Sequence, residues 1–131
     1  MSRPQFKSIG NKQVKIINNL TILTNGYSNL QINDYGKGVI LTFNVSAVSG
    51  TNPTLVFQIT DENQVAISAG SSPVITTPGI YKFYLYPTQW TNLGSNDGIV
   101  NGVLPLKWQL YYGVTGTTPN FNVSVVADYI I

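Results

Sequence analysis

The sequence predicts an all-β domain built as a two-sheet antiparallel sandwich, with a jelly roll as the leading topology and an immunoglobulin-like sandwich as the neighbouring one. Three observations carry this expectation. Apolar and polar residues alternate at a period of two along most of the chain, and no segment shows a helical apolar stripe. Clusters of Gly, Pro, Asn, Asp and Ser interrupt the alternation roughly every ten residues, the spacing of short strands in a sandwich or barrel. The 131 residues are 43% hydrophobic but only 9% charged, against about 25% charged in ordinary soluble domains. Asn, Thr, Ser, Gly and Tyr stand in for the missing charge, which is the composition of a turn-rich β protein with a neutral polar surface. A chain of this length builds one core, so residues 14–131 are expected to form a single domain behind an N-terminal arm, residues 1–13.

In the arm, Arg3, Lys7 and Lys12 lie among Pro4, Phe6 and Ile9 without strand alternation, and Pro4 and Gly10 discourage regular structure. Val14 to Thr24 and Tyr27 to Ile32 follow as two strands joined across Asn25-Gly26, a dipeptide that favours tight hairpins by accepting positive φ. Lys37 to Val48 is the clearest strand, with Val39, Leu41, Phe43, Val45 and Ala47 on one face. Leu55, Phe57 and Ile59 then alternate with Val56, Gln58 and Thr60. Asp61-Glu62-Asn63 reads as a turn, and short strands are expected around Val65 to Ser68 and Val74 to Thr76. After the turn Thr77-Pro78-Gly79, Ile80 to Tyr86 sets Tyr81, Phe83 and Leu85 against Ile80, Lys82, Tyr84 and Tyr86. Pro87 to Gly102 is the longest expected loop, with Trp90 inside it. Leu106, Trp108, Leu110 and Tyr112 form the next core-facing row, and the last strand turns Phe121, Val123, Val125, Ala127 and Tyr129 inward.

The same composition excludes much chemistry. Without cysteine there are no disulfides, iron–sulfur clusters or thiolate zinc sites, and without histidine the usual general base and commonest metal ligand are missing. The five carboxyl groups, Asp34, Asp61, Glu62, Asp97 and Asp128, are scattered. Asp61 and Glu62 are adjacent in one turn and cannot flank a common bond. The chain reads as a non-enzyme with no catalytic residue, no metal site and no cofactor. The net charge of +2 reflects few carboxylates more than a basic patch, and nucleic-acid binders need clustered Lys and Arg. No nucleic acid partner is expected, and no membrane one, since no run approaches the roughly 18 consecutive apolar residues of a span. Met1 to Lys7 leads into Gly, Asn, Lys and Gln and not into an apolar core, so conventional secretion is not expected. Few groups change charge between neutral and acid pH, which predicts tolerance of acid.

One internal echo stands out. Val48-Ser49-Gly50-Thr51-Asn52-Pro53 matches Val114-Thr115-Gly116-Thr117-Thr118-Pro119, and local mechanics alone, with Gly50 and Gly116 supplying positive φ and Pro53 and Pro119 fixing the next strand, make them two similar structural turns. The stretches Asn44 to Leu55 and Gly116 to Val125, with the aromatic strand between them, resemble small β-sandwich capsid decoration or minor head proteins of tailed bacteriophages, in order over about residues 28 to 131. Lys107 stands where that family often carries Arg, and the chain has less charge than the family tends to have. The resemblance implies a non-enzymatic virion protein, commonly a trimer, bound to the outside of an icosahedral shell.

On that footing the expected function is a capsid decoration (cement) protein on the capsid exterior, whose partners are the major capsid protein and further copies of itself in a homo-oligomer, most simply a trimer. The expected capsid or subunit contacts are Arg3, Phe6 and Lys7 of the arm and the aromatics Tyr84, Tyr86 and Trp90. The arm is expected to be pinned by a neighbouring subunit or by the shell, an edge strand on its own sheet being the alternative. Aromatics on both faces of a strand fit a core on one side and an oligomer contact on the other. The alternative is a tail or surface carbohydrate-binding module, with a sugar-stacking platform drawn from Tyr81, Tyr84, Tyr86, Trp90, Trp108, Tyr111 and Tyr112.

Overall fold

The computed structural model describes residues 12–34, 36–67, 71–86 and 97–130. These residues are all-β, as the alternation predicts, and their strands belong to one mixed sheet: β1 (Gln13–Ile22), β2 (Gly26–Tyr27), β3 (Gln31–Ile32), β4 (Gly38–Asp61), β5 (Gly79–Tyr86), β6 (Asp97–Asn101) and β7 (Lys107–Ile130). The sheet runs β1-β7-β4-β5-β6, with β2 and β3 on the far half of β7. All pairs are antiparallel except β5–β6, which is parallel.

Two strands of 24 residues organise everything else. Where the sequence suggests Lys37–Val48 and Leu55–Thr60 as separate strands, and likewise Leu106–Tyr112 and Phe121–Tyr129, the ladder between β4 and β7 continues from Gly38↔Ile130 through Thr51↔Thr117 to Asp61↔Trp108. Each strand nevertheless turns a corner midway. The rings of Phe43 and Phe57 stack with centroids 4.3 Å apart, although fourteen extended residues would span about 46 Å. The only way to bring them together is for β4 to double back, and β7 does the same where Trp108 meets Tyr129 edge-on at 6.0 Å.

The corner is built from the two echoed segments. Gly50 has φ 115° and Gly116 φ 109°, and Asn52 and Thr118 follow at φ 50° and 46°. A side chain at Gly50 would come within 2.6 Å of the Thr118 carbonyl oxygen, and one at Gly116 within 2.6 Å of the Asn52 carbonyl oxygen. The pairs Ser49↔Asn120 and Thr54↔Thr115 lie symmetrically on either side, and the hydroxyls of Thr54 and Thr115 touch. The repeats are therefore one paired corner with a local two-fold, and not two hairpin turns. Only glycine gives backbone at that φ without a Cβ clash.

Between the doubled halves lies the core. Val39, Leu41, Phe43 and Val45 face Leu55, Phe57 and Ile59, with Tyr81, Phe83 and Leu85 from β5 and Phe121, Val123, Val125, Ala127 and Tyr129 from β7 all buried. Trp108, the largest buried side chain, is fully enclosed, and burying each such group contributes about 1.5–3 kcal/mol. Ala47, expected to point inward, is exposed because a register shift between Val45 and Ala47 flips the strand face. Leu106, expected in the core row, is 62% exposed, since it precedes the first ladder pair of β7.

Other elements differ from the sequence reading. Asn25-Gly26 joins no hairpin: β1 and β2 both pair with β7, on opposite halves of it. The Asn25 Oδ1 accepts the Val114 N–H at 2.8 Å, and Gly26 lies under Tyr112, whose ring atoms would be 2.9 Å from a Cβ there. The segments around Val65 and Val74 form no strands but single bridges, Thr60↔Ala66 and Leu55↔Ile75. Within the expected loop Pro87–Gly102, residues 97–101 are β6. Gly98 reads as a turn former, yet it is needed because a Cβ would meet Pro73 Cδ and the Ser71 carbonyl oxygen at 2.9 Å. The arm boundary is earlier than expected, since Gln13 pairs with Asp128.

Candidate functional site

Of the predicted contact residues, Tyr84 and Tyr86 are among the described residues. Arg3, Phe6, Lys7 and Trp90 lie outside the described residues. Tyr84 and Tyr86 are half-buried on the outward face of β5. Of the proposed aromatic platform, Tyr81 and Trp108 belong to the core, and the Tyr81 hydroxyl donates to the Thr77 carbonyl at 2.7 Å. Tyr111 and Tyr112 are on the same half of β7 as Trp108. There they join Tyr27, which the sequence reading left out. Tyr27 and Tyr111 are directly paired across β2–β7, with ring centroids 5.2 Å apart and planes tilted by 52°.

Charge is distributed unevenly over the doubled strands. No residue is charged from Ile16 to Asn33, from Gly38 to Thr60, or from Trp108 to Ala127, so the corner is neutral and presents exposed Ser49, Thr51, Asn52, Thr115, Thr117, Thr118 and Asn120. Leu23, Val74 and Ile80 project from strands and bridges near this end, each about half exposed. Lys37, Asp61, Glu62, Lys107 and Asp128 sit where the strands of the ladder begin and end, away from the corner.

Asp61 and Glu62 are occupied locally, as a turn requires. The Asp61 Oδ1 accepts the N–H groups of Asn63 and Val65 at 2.8 and 3.0 Å, and Glu62 faces Lys107 at 3.9 Å across an exposed gap. That is the one ion pair among the described residues, and exposed pairs of this kind contribute at most about 1 kcal/mol. Acidification therefore has little to remove. The melting temperature is expected to change by only a few degrees between pH 7 and pH 4, and calorimetry showing a steep fall over that range would contradict this.

Alkali is different. The Trp108 Nε1–H donates to the Tyr129 hydroxyl at 3.2 Å inside the core. Burial pushes the Tyr129 hydroxyl pKa above its usual value; the hydrogen bond from Trp108 opposes that rise, and the Asp34 carboxylate adds to it. A raised pKa on an acid means that the fold favours the protonated phenol. This contribution is complete below about pH 10, the unfolded value, and is lost as pH rises through the folded one. Thermal melts should show stability falling above pH 10, with Tyr129→Phe flattening part of the fall. An identical alkaline slope in the variant would exclude Tyr129 as the cause.

A groove of about 280 Å³ opens between the edges of the two halves. Ile16, Ile17, Asn18 and Leu20 of β1 form one wall, and Tyr27, Ser28, Asn29 and Tyr112 the other. Two register shifts fall between Lys15 and Leu20, and Asn19 between them has φ 54°. The Asn19 N–H donates to the Ser124 Oγ at 2.9 Å, which holds the bulged edge in place. On the other wall, the Ser28 Oγ accepts the Leu110 N–H at 2.9 Å and fixes the segment after β2. Bulges also protect an edge strand from pairing with other chains, so β1 ends the sheet without offering a flat edge.

No family model, curated protein or solved structure matches the chain.

Proposed function

We propose that the protein is a non-enzymatic structural component of a viral particle, a decoration protein that docks on the outside of an assembled icosahedral shell. The observation that best supports this reading is the charge-free corner end with Leu23, Val74 and Ile80 exposed on it. Such a surface can be buried against another protein without removing ions from water, and interface cores are depleted of charge for that reason. The contact of Phe43 with Phe57 across the doubled strand supports a two-layer sandwich of jelly-roll type as the finer fold. The same low charge favours self-association, since charge repulsion is what keeps many proteins apart. A homotrimer is the expected state, and light scattering at micromolar concentration should give three times the 14.3 kDa chain mass; a monomer mass would count against it.

A protein that binds the assembled shell but not its separated subunits stabilises the shell by mass action, by about 2.7 kcal/mol at a concentration one hundred times Kd. Immunogold labelling of intact particles with an antibody to this chain is the direct test, with label on the particle surface expected and label confined to host cell contents overturning the reading. Deleting residues 2–10 separates the arm from the body. The truncated chain should keep its melting temperature and lose shell binding, and undiminished binding would remove Arg3, Phe6 and Lys7 from the contact.

A further inference from the structure

We infer that Asn25-Gly26 is a self-modification site, where the Asn25 amide becomes a carboxylate by attack of the chain's own backbone at a rate set by the pairing of β2 with β7. The inference goes beyond shell docking and does not rest on it. Asn-Gly is the dipeptide in which this reaction meets least hindrance, because glycine places no Cβ beside the attacking nitrogen. The Gly26 backbone nitrogen gives up its proton and bonds to the Asn25 Cγ; the Cγ–Nδ2 bond breaks, and Nδ2 leaves as ammonia. Water then opens the cyclic imide. Breaking the bond from the Gly26 nitrogen to Cγ gives aspartate, and breaking the bond from that nitrogen to the Asn25 carbonyl carbon gives isoaspartate. One water enters for each ammonia that leaves, and no other reactant is needed.

The fold holds this pair in an unreactive arrangement. Asn25 is exposed, but its Oδ1 accepts the Val114 N–H at 2.8 Å, which directs the side chain toward β7. The Ser28 N–H donates to the Leu110 carbonyl oxygen at 2.8 Å, and hydrogen-bonded pairs alternate along an antiparallel ladder. Gly26, opposite Tyr112, is therefore the next hydrogen-bonded position, and its N–H is engaged. The Tyr112 ring also closes over Gly26, 2.9 Å from where a Cβ would be. Attack requires β2 to leave β7. Among the described strands β2 pairs with β7 alone and is two residues long, helped by the Tyr27–Tyr111 ring contact and by the Ser28 Oγ on the Leu110 N–H. Short edge elements of this kind open locally at a free energy below that of global unfolding. The native rate is then the rate of the unfolded dipeptide multiplied by the fraction of time β2 is open. The two products differ in consequence. Aspartate keeps an oxygen for the Val114 N–H and puts a charge into Ile16–Asn33, which has none. Isoaspartate draws Cγ into the main chain, so the bond to Val114 competes with the pairing of Gly26 and Tyr112, and β2 loosens.

The test is incubation of the full chain at mildly alkaline pH and body temperature, with a synthetic peptide of residues 23–28 as the unfolded reference. Peptide mass mapping follows the amide-to-acid mass gain and separates Asn25 from Asn101, which begins the second Asn-Gly pair of the chain. Asn25 should convert to both products at least about tenfold more slowly than the peptide. The slowing should match the protection of the Ser28 amide from hydrogen exchange within about threefold, since both reactions need the same opening. Tyr27→Ala should speed conversion about fivefold, the worth of one aromatic pair, after correction by the same change in the peptide. Val65→Ala, exposed on another edge, should leave the rate unchanged. Asn25→Gln should abolish the mass gain, because its attack would close a larger and slower ring. The inference is overturned if Asn25 stays intact over the time that the measured opening allows it, if it converts as fast as the peptide, or if Tyr27→Ala leaves the rate unchanged. None of these outcomes bears on particle labelling, so the two readings fail separately.

Discussion

Gly116→Ala and Gly50→Ala are each expected to destabilise the protein by about 3 kcal/mol, a loss that combines unfavourable φ with overpacking against backbone. At this chain length that corresponds to a fall of roughly 10 °C in melting temperature. The cause is double at each position. An alanine at φ near +110° is strained wherever it sits, and its methyl would also enter the space of a carbonyl oxygen 2.6 Å away on the partner strand. That oxygen belongs to the other repeat's backbone and cannot swing aside as a side-chain tip can. Because each glycine is opposed by the other's corner, the double variant should lose less than the sum of the two single losses. Thr118→Asn provides the opposite sign. A β-branched residue at φ 46° is unfavourable where Asn is tolerated, so this change should stabilise by up to about 1 kcal/mol. Thermal denaturation of the three single variants checks the set; glycine variants within 1 °C of the wild type would mean that the corner is not held as described.

Phe57→Ala is expected to cost about 3–5 kcal/mol, in the range for large core aromatics truncated to alanine. Phe57 is fully buried, stacked on Phe43 and edge-on to Tyr112 at 6.3 Å. It is therefore in contact with both halves of the doubled sheet, and the void left by its ring cannot be closed from one side alone. Against a typical total of about 5–15 kcal/mol, the loss is large enough to leave a measurable unfolded fraction at room temperature in a protein at the low end. Phe57→Leu retains much of the volume and should cost about 1.5 kcal/mol or less. A urea titration with unchanged slope and a shifted midpoint identifies the effect as one on the native state. A Phe57→Ala midpoint equal to that of Phe57→Leu would show that the void costs nothing and overturn the expectation, whereas a Phe57→Leu midpoint equal to the wild type would show that the stack contributes nothing beyond filling.

How much of this was legible in the sequence differs from element to element. The inward rows of β4, β5 and β7 could be read residue by residue because alternation and burial coincide there, Val39 to Val45 and Phe121 to Tyr129 above all. What alternation cannot express is pairing at a distance. Nothing local in Asn25-Gly26 says that its neighbours pair with β7 instead of with each other. Nor does the Gly-Thr-x-Pro repeat say that its two copies oppose one another, although a matched pair of glycines flanked by long alternating strands was the signal available. The groove was missed because Tyr27 is adjacent in sequence to turn residues and meets Tyr111 only through the ladder. Bulges at Ile16 and Asn19 leave no compositional mark, and so the stretch Val14 to Thr24 reads as an ordinary strand.

The place of β7 in the sheet has a consequence for synthesis. It pairs with β1, β2, β3 and β4, so four earlier elements emerge from the ribosome before the strand that completes them exists. Gln13 and its partner Asp128 are 115 residues apart, a wait of roughly 10 s at ordinary elongation rates of about 5–20 residues per second. Only the β4–β5 and β5–β6 pairs can form earlier. During that interval the apolar faces of β1 and of the second half of β4 have no β7 ladder to bury them, and nascent chains on neighbouring ribosomes offer one another the same unpaired edges. Folding of this domain accordingly waits for β7 to emerge and is slow, as long-range pairing demands, and its yield in the cell should depend on chaperone capacity more steeply than its final stability does.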